Sequence, residues 1–308
     1  MGNKRESVLA VINPASAAAT TGRFWEEARK TVRDAGVALE ETFTRHPGDA
    51  TRLAEEGGRR GFPVVIYVGG DGTANEVANG ILHLPREQRP ALASFSRGTG
   101  GDLPRSLGLR PGLDAAVERL LRRRERALDA VDCSMVGPDG APLQRHFINI
   151  ADAGLGGRVT EIVNNSRNPL GGTIGFLWAI VSGFWTYENV PVIVTIDGKE
   201  VYQGKSATVV VANGSYFGGG VKIAPMAQPD DGILDILVIA DITKRDLLSQ
   251  LPHIYRGTHI THPRVLCYQG REVRVEGEGP LPLDIDGEHP GDGPLHARLM
   301  PDALRVLV

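Results

Sequence analysis

The first part of the chain alternates short apolar runs with stretches of helical period. Val8-Leu9-Ala10-Val11-Ile12 has no polar position, the pattern of a strand buried on both faces of a parallel sheet. Asn13-Pro14 ends it, because proline has no N–H to give a ladder. Thr20 or Thr21 can cap a helix whose apolar side holds Phe24, Ala28 and Val32 and which stops at Gly36. A second strand is predicted from Leu39 to Thr44, and Pro47-Gly48 leads to Asp49 as the cap of a helix from Ala50 to about Arg60. Val64 to Val68 is the third strand. It runs straight into Gly69-Gly70-Asp71-Gly72-Thr73, where Thr73 and Glu76 have capping-box spacing and place a helix N-terminus directly after the turn. Ala91 to Phe95 predicts a fourth strand, and Leu113, Val117, Leu120 and Leu121 mark a further helix. This alternation predicts a doubly wound α/β sheet, in which ligands collect beyond the carboxyl ends of the strands.

The pattern changes near Asp129. From there β-rich runs are separated by turn signals such as Pro138-Asp139-Gly140 and Asp197-Gly198, with few helical stretches. Two domains are expected, 1–128 and 129–308, with a C-terminal tail able to return to the first. The most apolar segment, Thr173 to Tyr187, is too short for a membrane span and is interrupted by Gly175, Ser182 and Gly183. It reads as a core helix, or as one that lines an acyl-chain pocket or dips into a bilayer surface through Trp178 and Trp185.

Composition narrows the choice of partners. The 308 residues are 41% hydrophobic, enough for a core in each domain, and the net charge of −3 argues against nucleic acid held by bulk electrostatics. Cys133 and Cys267 form neither a disulfide framework nor a metal-ligand spacing, and are expected as buried or semi-buried thiols in a reducing cytoplasm. No signal peptide is expected before Val8, and no myristoyl anchor, since Glu6 stands where that signal needs Ser or Thr. Arg122-Arg123-Arg124 reads as a solvated face, with anionic lipid headgroups as the alternative.

Four stretches carry candidate chemistry. In the first, Gly69, Gly70 and Gly72 are expected to adopt angles that a Cβ would block, letting main-chain N–H groups approach a phosphate at the helix N-terminus. Asp71 is then either a turn residue or a carboxylate beside metal and phosphate. The second is the loop Ser96 to Leu109 after the fourth strand. The third follows a predicted strand, Thr208 to Ala212: Asp230-Asp231-Gly232 shapes a tight turn or offers oxygens to a hard cation. In the fourth, Asp284-Ile285-Asp286-Gly287-Glu288, alternation puts Asp284 and Asp286 on one side of a strand, with Glu288 beyond the turn.

Gly69 to Thr73 resembles the nucleotide-binding motif shared by diacylglycerol, sphingosine and NAD kinases and phosphofructokinases, and its continuation Ala74 to Gly80 resembles the lipid-kinase branch. The other three stretches, together with Phe147-Ile148-Asn149-Ile150 and the glycine run after it, resemble the same branch. Ser96-Arg97 replaces the branch's usual Pro-Leu, Gly101 its usual Asn, Pro104 enters a normally helical segment, and Asp152 adds a charge to the glycine run, where it reads as a turn residue. The resemblance implies a Rossmann-like nucleotide domain followed by a mainly antiparallel β-sandwich domain, with the active site in the cleft between them. It implies a nucleotide cradle of Asn13, Thr44, Gly69, Gly70, Asp71, Gly72, Thr73, Glu76, Gly98, Thr99, Asp102 and Arg105. It assigns magnesium to Asp231 with the carbonyls of Gln228 and Ile233, linked through water to Asp71 and Asp102. Asp286 with Glu288 would be the catalytic base. The expected activity is transfer of the γ-phosphoryl of ATP, with Mg2+, to a diacylglycerol-like or sphingoid lipid at the inner face of a membrane. The alternatives are an NAD kinase and an inactive nucleotide- or lipid-binding homologue; a homodimer stays open.

Overall fold

The computed structural model describes residues 7–16, 21–96, 101–165, 182–183 and 185–308. By compactness the chain forms two units, Met1–Ala130 with Pro301–Val308, and Val131–Met300.

The first unit is built on a parallel sheet. Its strands are β1 (Val8–Ile12), β2 (Leu39–Phe43), β3 (Val64–Val68) and β4 (Ala91–Phe95), with helices α1 (Thr21–Asp34), α2 (Asp49–Arg59), α3 (Asp71–Leu82), α4 (Asp102–Ser106) and α5 (Leu113–Arg122). The order is β4-β3-β1-β2, so the chain steps to one side of β1 and then returns to the other. That reversal makes the β1/β3 boundary the topological switch point, the place where such sheets open a crevice at their carboxyl ends. The even-numbered positions of β1 and β3 and the odd-numbered positions of β4 pack with α1 and α5 around Trp25, Ala28, Val32, Val117 and Leu120. On the other face α2 lies so close that Gly57 sits against Leu9 and Val65. Trp25, rather than Phe24, takes the centre of α1's buried stripe, because its indole N–H has a partner in Glu41 at 3.0 Å and its ring meets Phe95 edge-on.

Two expected caps are absent. Asp49 and Asp71 are the first helical residues, behind caps at Gly48 and Gly70 that donate no side chain. Glu76 turns away from its own helix, and its carboxylate accepts the N–H of Ala50 at 3.0 Å. The capping-box reading of Thr73 and Glu76 therefore fails: the glutamate satisfies one orphan donor of α2 instead of α3.

The second unit is mainly antiparallel. Its elements are β5 (Glu125–Val136), which begins in the first unit, β6 (Pro142–Phe147), β7 (Ile150–Gly154), α6 (Leu155–Asn165), β8 (Val190–Ile196), β9 (Lys199–Ala212), β10 (Leu234–Ala240), α7 (Lys244–Arg256), β11 (Val265–Gly270), β12 (Glu272–Gly277), β13 (Leu283–Ile285) and β14 (Asp292–Leu307), which ends in the first. Its end pairs in parallel with β4, at Val306 and Leu92. The predicted strand Thr208–Ala212 is the end of β9, a longer strand whose first half pairs with β8 and second half with β10 and β7. A single strand serving both layers is how sandwiches turn their corners. The core between the layers is aliphatic, with Val131, Val194, Val211, Leu234, Ile236, Val273 and Leu283 at its centre. Helices α6 and α7 were not expected, and α6 starts through Gly156-Gly157, which hydrophobic pattern alone reads as a loop.

Cys133 is buried, whereas Cys267 is exposed, contrary to the reading of both as buried or semi-buried. Most of the segment Thr173 to Tyr187 lies outside the described residues; Trp185, which is described, is 68% exposed. Among the described residues no helix is long and apolar enough to cross a membrane.

Candidate active site

At the switch point of the first unit, the end of β1 meets the start of α3. The Asn13 amide donates to the Thr73 hydroxyl at 3.1 Å, and its oxygen accepts the N–H of Ala15. Thr44, at the end of β2, donates its N–H to Ile12 O, one residue before Asn13. Gly70 caps the helix at φ −93° and ψ −167°, so the expectation of blocked backbone angles fails there. What the turn needs from glycine is space at Gly69, where a Cβ would collide with Thr73.

Asp71 connects this turn to the second loop. Its Oδ1 accepts the N–H groups of Asp102 at 2.8 Å and Leu103 at 3.3 Å, the orphan donors that open α4. Burial pushes the Asp71 carboxyl up, against the pull of those two N–H bonds and the Arg105 charge. Asp102 is itself buried and pairs with Arg105 at 2.8 Å. Gly98 and Thr99, with Arg97, lie outside the described residues.

In the second unit, Asp286 and Gly287 are the central residues of a tight hairpin closed by mutual Ile285–Glu288 hydrogen bonds, with φ of 49° and 88°. Positive φ at both positions is the signature of a type I′ turn. The strand β13 ends at Ile285, so Asp284 and Asp286 are not on one side of a strand as alternation suggested. The Asp286 carboxylate accepts main-chain N–H from Ile148 (2.9 Å), Asn149 (3.0 Å) and Ile150 (2.9 Å). Its own N–H returns to Ile150 O at 3.0 Å. Glu288 is paired with Arg145 at 2.8 Å, a partner no sequence motif announced. His289 turns inward, its Nδ1 2.9 Å from Leu283 O.

The Asp230–Gly232 turn is also in the second unit. Gly232 is left-handed at φ 74°, and Asp231 Oδ1 accepts the N–H of Ile233 at 3.1 Å. Gln228 and Asp231 are exposed. No three acidic, histidine or cysteine side chains cluster as metal ligands among the described residues. A single carboxylate beside turn carbonyls fits a hard cation that keeps much of its water.

Residues 7–133 match the diacylglycerol kinase catalytic domain, and residues 149–308 match the YegS C-terminal NAD kinase beta sandwich-like domain. A Chromohalobacter salexigens protein named probable lipid kinase YegS-like is 32% identical over 293 residues, covering 90% of this chain and 86% of its own. This chain belongs to the diacylglycerol kinase and YegS-like lipid kinase family. It is a kinase. The diacylglycerol kinase of Staphylococcus carnosus is 29% identical over 297 residues, covering 94% of this chain and 91% of its own. The crystal structure of a candidate diacylglycerol kinase from Bacillus anthracis str. Sterne has a TM-score of 0.77 at 26% identity, covering 100% of this chain and 96% of its own. An Archaeoglobus fulgidus NAD kinase, solved in complex with ATP, shares the fold alone, with a TM-score of 0.54 at 18% identity over 98% of this chain and 93% of its own.

Two departures of this lipid kinase from the family's motif explain each other. Gly101 caps α4 in extended backbone, and a Cβ there would lie 3.0 and 3.1 Å from the Cδ and Cγ of Pro104. Pro104 is tolerated because it sits in the first turn, where its missing N–H has no intrahelical partner. With the ring in place, a side chain at position 101 has little room. Sequence reading gave no partner to Asn149, whose amide donates to Tyr216 O, and read Asp152 as a turn residue, whereas it lies buried within β7 and accepts the Thr208 hydroxyl, as Asp284 on β13 accepts that of Thr160.

Proposed function

We propose that this kinase transfers the γ-phosphoryl of ATP to the hydroxyl of a membrane lipid, diacylglycerol-like or sphingoid, with magnesium. The observation that carries the reading is the bond from Asp71 to the N–H groups of Asp102 and Leu103, which ties the glycine turn to the second loop at the switch point. Phosphoryl transfer demands mainly positioning and charge stabilisation. The α3 N-terminus supplies partial positive charge and main-chain donors to a triphosphate, with Asn13 and Thr73 bracing the turn. Arg105 adds a cation held by Asp102. Asp231 with the carbonyls of Gln228 and Ile233 would hold magnesium. When bound, the ion neutralises phosphate charge.

Asp286 takes the proton of the lipid hydroxyl. Its carboxylate is oriented by main-chain donors and so loses little freedom on engaging the acceptor. Glu288, held by Arg145, borders the same turn. The acceptor resides in a bilayer, so the enzyme works as a peripheral protein at its surface. Incubation with γ-labelled ATP, magnesium and vesicles of extracted lipid should give a labelled phospholipid. Label in NADP and none in lipid, with NAD supplied, would overturn the reading in favour of NAD phosphorylation.

A further inference from the structure

Beneath the Asp286–Gly287 turn lie two carboxylates to which the chemistry above gives no role. Asp152 on β7 and Asp284 on β13 face each other in the antiparallel register and are 2% and 5% exposed. Directly opposed residues hold their Cβ atoms about 4.5–5.5 Å apart, so the two carboxyl groups occupy one dry space. Each is tied to its surroundings. Asp284 Oδ1 accepts the N–H of Gly287 at 2.6 Å, within the hairpin turn, and Oδ2 accepts the Thr160 hydroxyl at 2.7 Å. Asp152 Oδ1 accepts the Thr208 hydroxyl at 2.6 Å and the N–H of Gly157 at 3.3 Å. A Cβ on Gly156 would fall 2.5 Å from Asp152 Cγ, and one on Gly157 would strike Pro282, so α6 closes over the pair only because both are glycine.

Other groups face the pair from every packed element. Asp286 acts on Asp284, and the Tyr187 hydroxyl feels the charge of Asp152. From β9 come Thr208 and Val210, and from α6 Gly156, Gly157 and Thr160, while Arg158 of that helix is spent on Glu161 at 2.6 Å. Burial pushes Asp152 up to about 6. Burial, reinforced by the Asp152 and Asp286 charges against the Thr160 and Gly287 bonds, pushes Asp284 up to about 7.

We propose that Asp152 and Asp284 share one proton and act together as positioning residues for the Asp286–Gly287–Glu288 turn. This rests on the role given to Asp286 above. With the proton in place the strands β7 and β13 pair without repulsion, and Asp284 holds Gly287. When the proton leaves, two buried anions oppose each other across the ladder that presents Asp286, and turnover falls with stability. Both carboxyls titrate above the unfolded value of about 3.9, so their contribution to stability is complete below that pH and is lost as pH rises through 6 to 7.

The test compares wild type, Asp152→Asn and Asp284→Asn in thermal melts and in kinetics with ATP and lipid vesicles, from about pH 5 to about pH 8.5. The Tm of Asp152→Asn should gain on wild type as pH rises, and the alkaline limb of its kcat profile should flatten, because one anion remains where wild type has two, with KM for ATP changed less than about twofold. In wild type, carboxyl NMR should show two aspartates titrating between about pH 5 and about pH 8, which needs no folded variant. Melt differences flat with pH, a kcat profile that overlays wild type, or both aspartates titrating below about pH 5 would overturn the proposal. Melts and NMR that respond as stated, in a chain that labels no lipid, would overturn the lipid-kinase role of Asp286 and leave the shared proton standing.

Discussion

Asp71 and Asp286 are each followed by glycine, and each carboxylate accepts main-chain N–H groups from a loop distant in sequence. The backbone beneath them differs. Asp71 is the first residue of a helix at the end of a parallel strand, so its neighbours lend a partial positive charge. Asp286 is the first central residue of a type I′ hairpin, in left-handed backbone, on an antiparallel layer. The same dipeptide thus does two jobs. At Asp71 the carboxylate organises a second loop beside a helix N-terminus; at Asp286 the main chain of residues 148–150 organises the carboxylate.

The comparison can be broken by substitution. Asp286→Asn removes the proposed base and turns an amide N–H toward main-chain donors, so turnover should fall about 10²- to 10⁴-fold. A labelled-ATP assay checks this, and a variant with wild-type turnover would show that Asp286 only shapes the turn. The same change should cost about 1–3 kcal/mol in denaturant unfolding, from a main-chain donor left unmatched.

Asp71→Ala removes the acceptor for Asp102 and Leu103, and should cost about 0.5–2 kcal/mol by the same measurement. ATP affinity should weaken with it, since the second loop loses its tie; calorimetry that finds unchanged affinity would separate the loop from the nucleotide. Glu76→Gln trades a charged acceptor for a neutral one at the α2 N-terminus, worth about 0.3–1 kcal/mol. Smallest is Gly101→Ala, at about 0.5 kcal/mol from overpacking, because the Cβ contact with Pro104 needs a shift of only a few tenths of an ångström. Combining it with Pro104→Ala should recover that cost, and a double-mutant cycle with no coupling would show that the two departures are independent.

Much of the fold was legible because its signals are local. The central parallel strands β1 and β3 read as unbroken apolar runs, and the structure pairs them side by side. The switch to antiparallel texture was readable from turn residues. Caps were not: Thr73 and Glu76 have the right spacing, yet Glu76 serves α2, because a carboxylate goes to whichever orphan N–H the packing brings nearest. Helix α6 was missed since Gly156-Gly157 has poor helix propensity, and only the approach of Asp152 and Pro282 explains the glycines.

The sequence by itself determined the alternation of strands and helices in the first unit, the change of architecture along the chain, and the motifs whose residue types suit phosphate, hard cation and proton transfer. Those depend on period and on chemistry carried by neighbouring residues. Tertiary structure alone decided the neighbour of each carboxylate: Asp71 with the N–H groups of residues 102–103, Asp286 with those of residues 148–150, Glu288 with Arg145, and Asp152 opposite Asp284. Each of these pairs joins loops or strands far apart in the chain, and contacts of that kind are set by sheet register and packing, which no local pattern encodes.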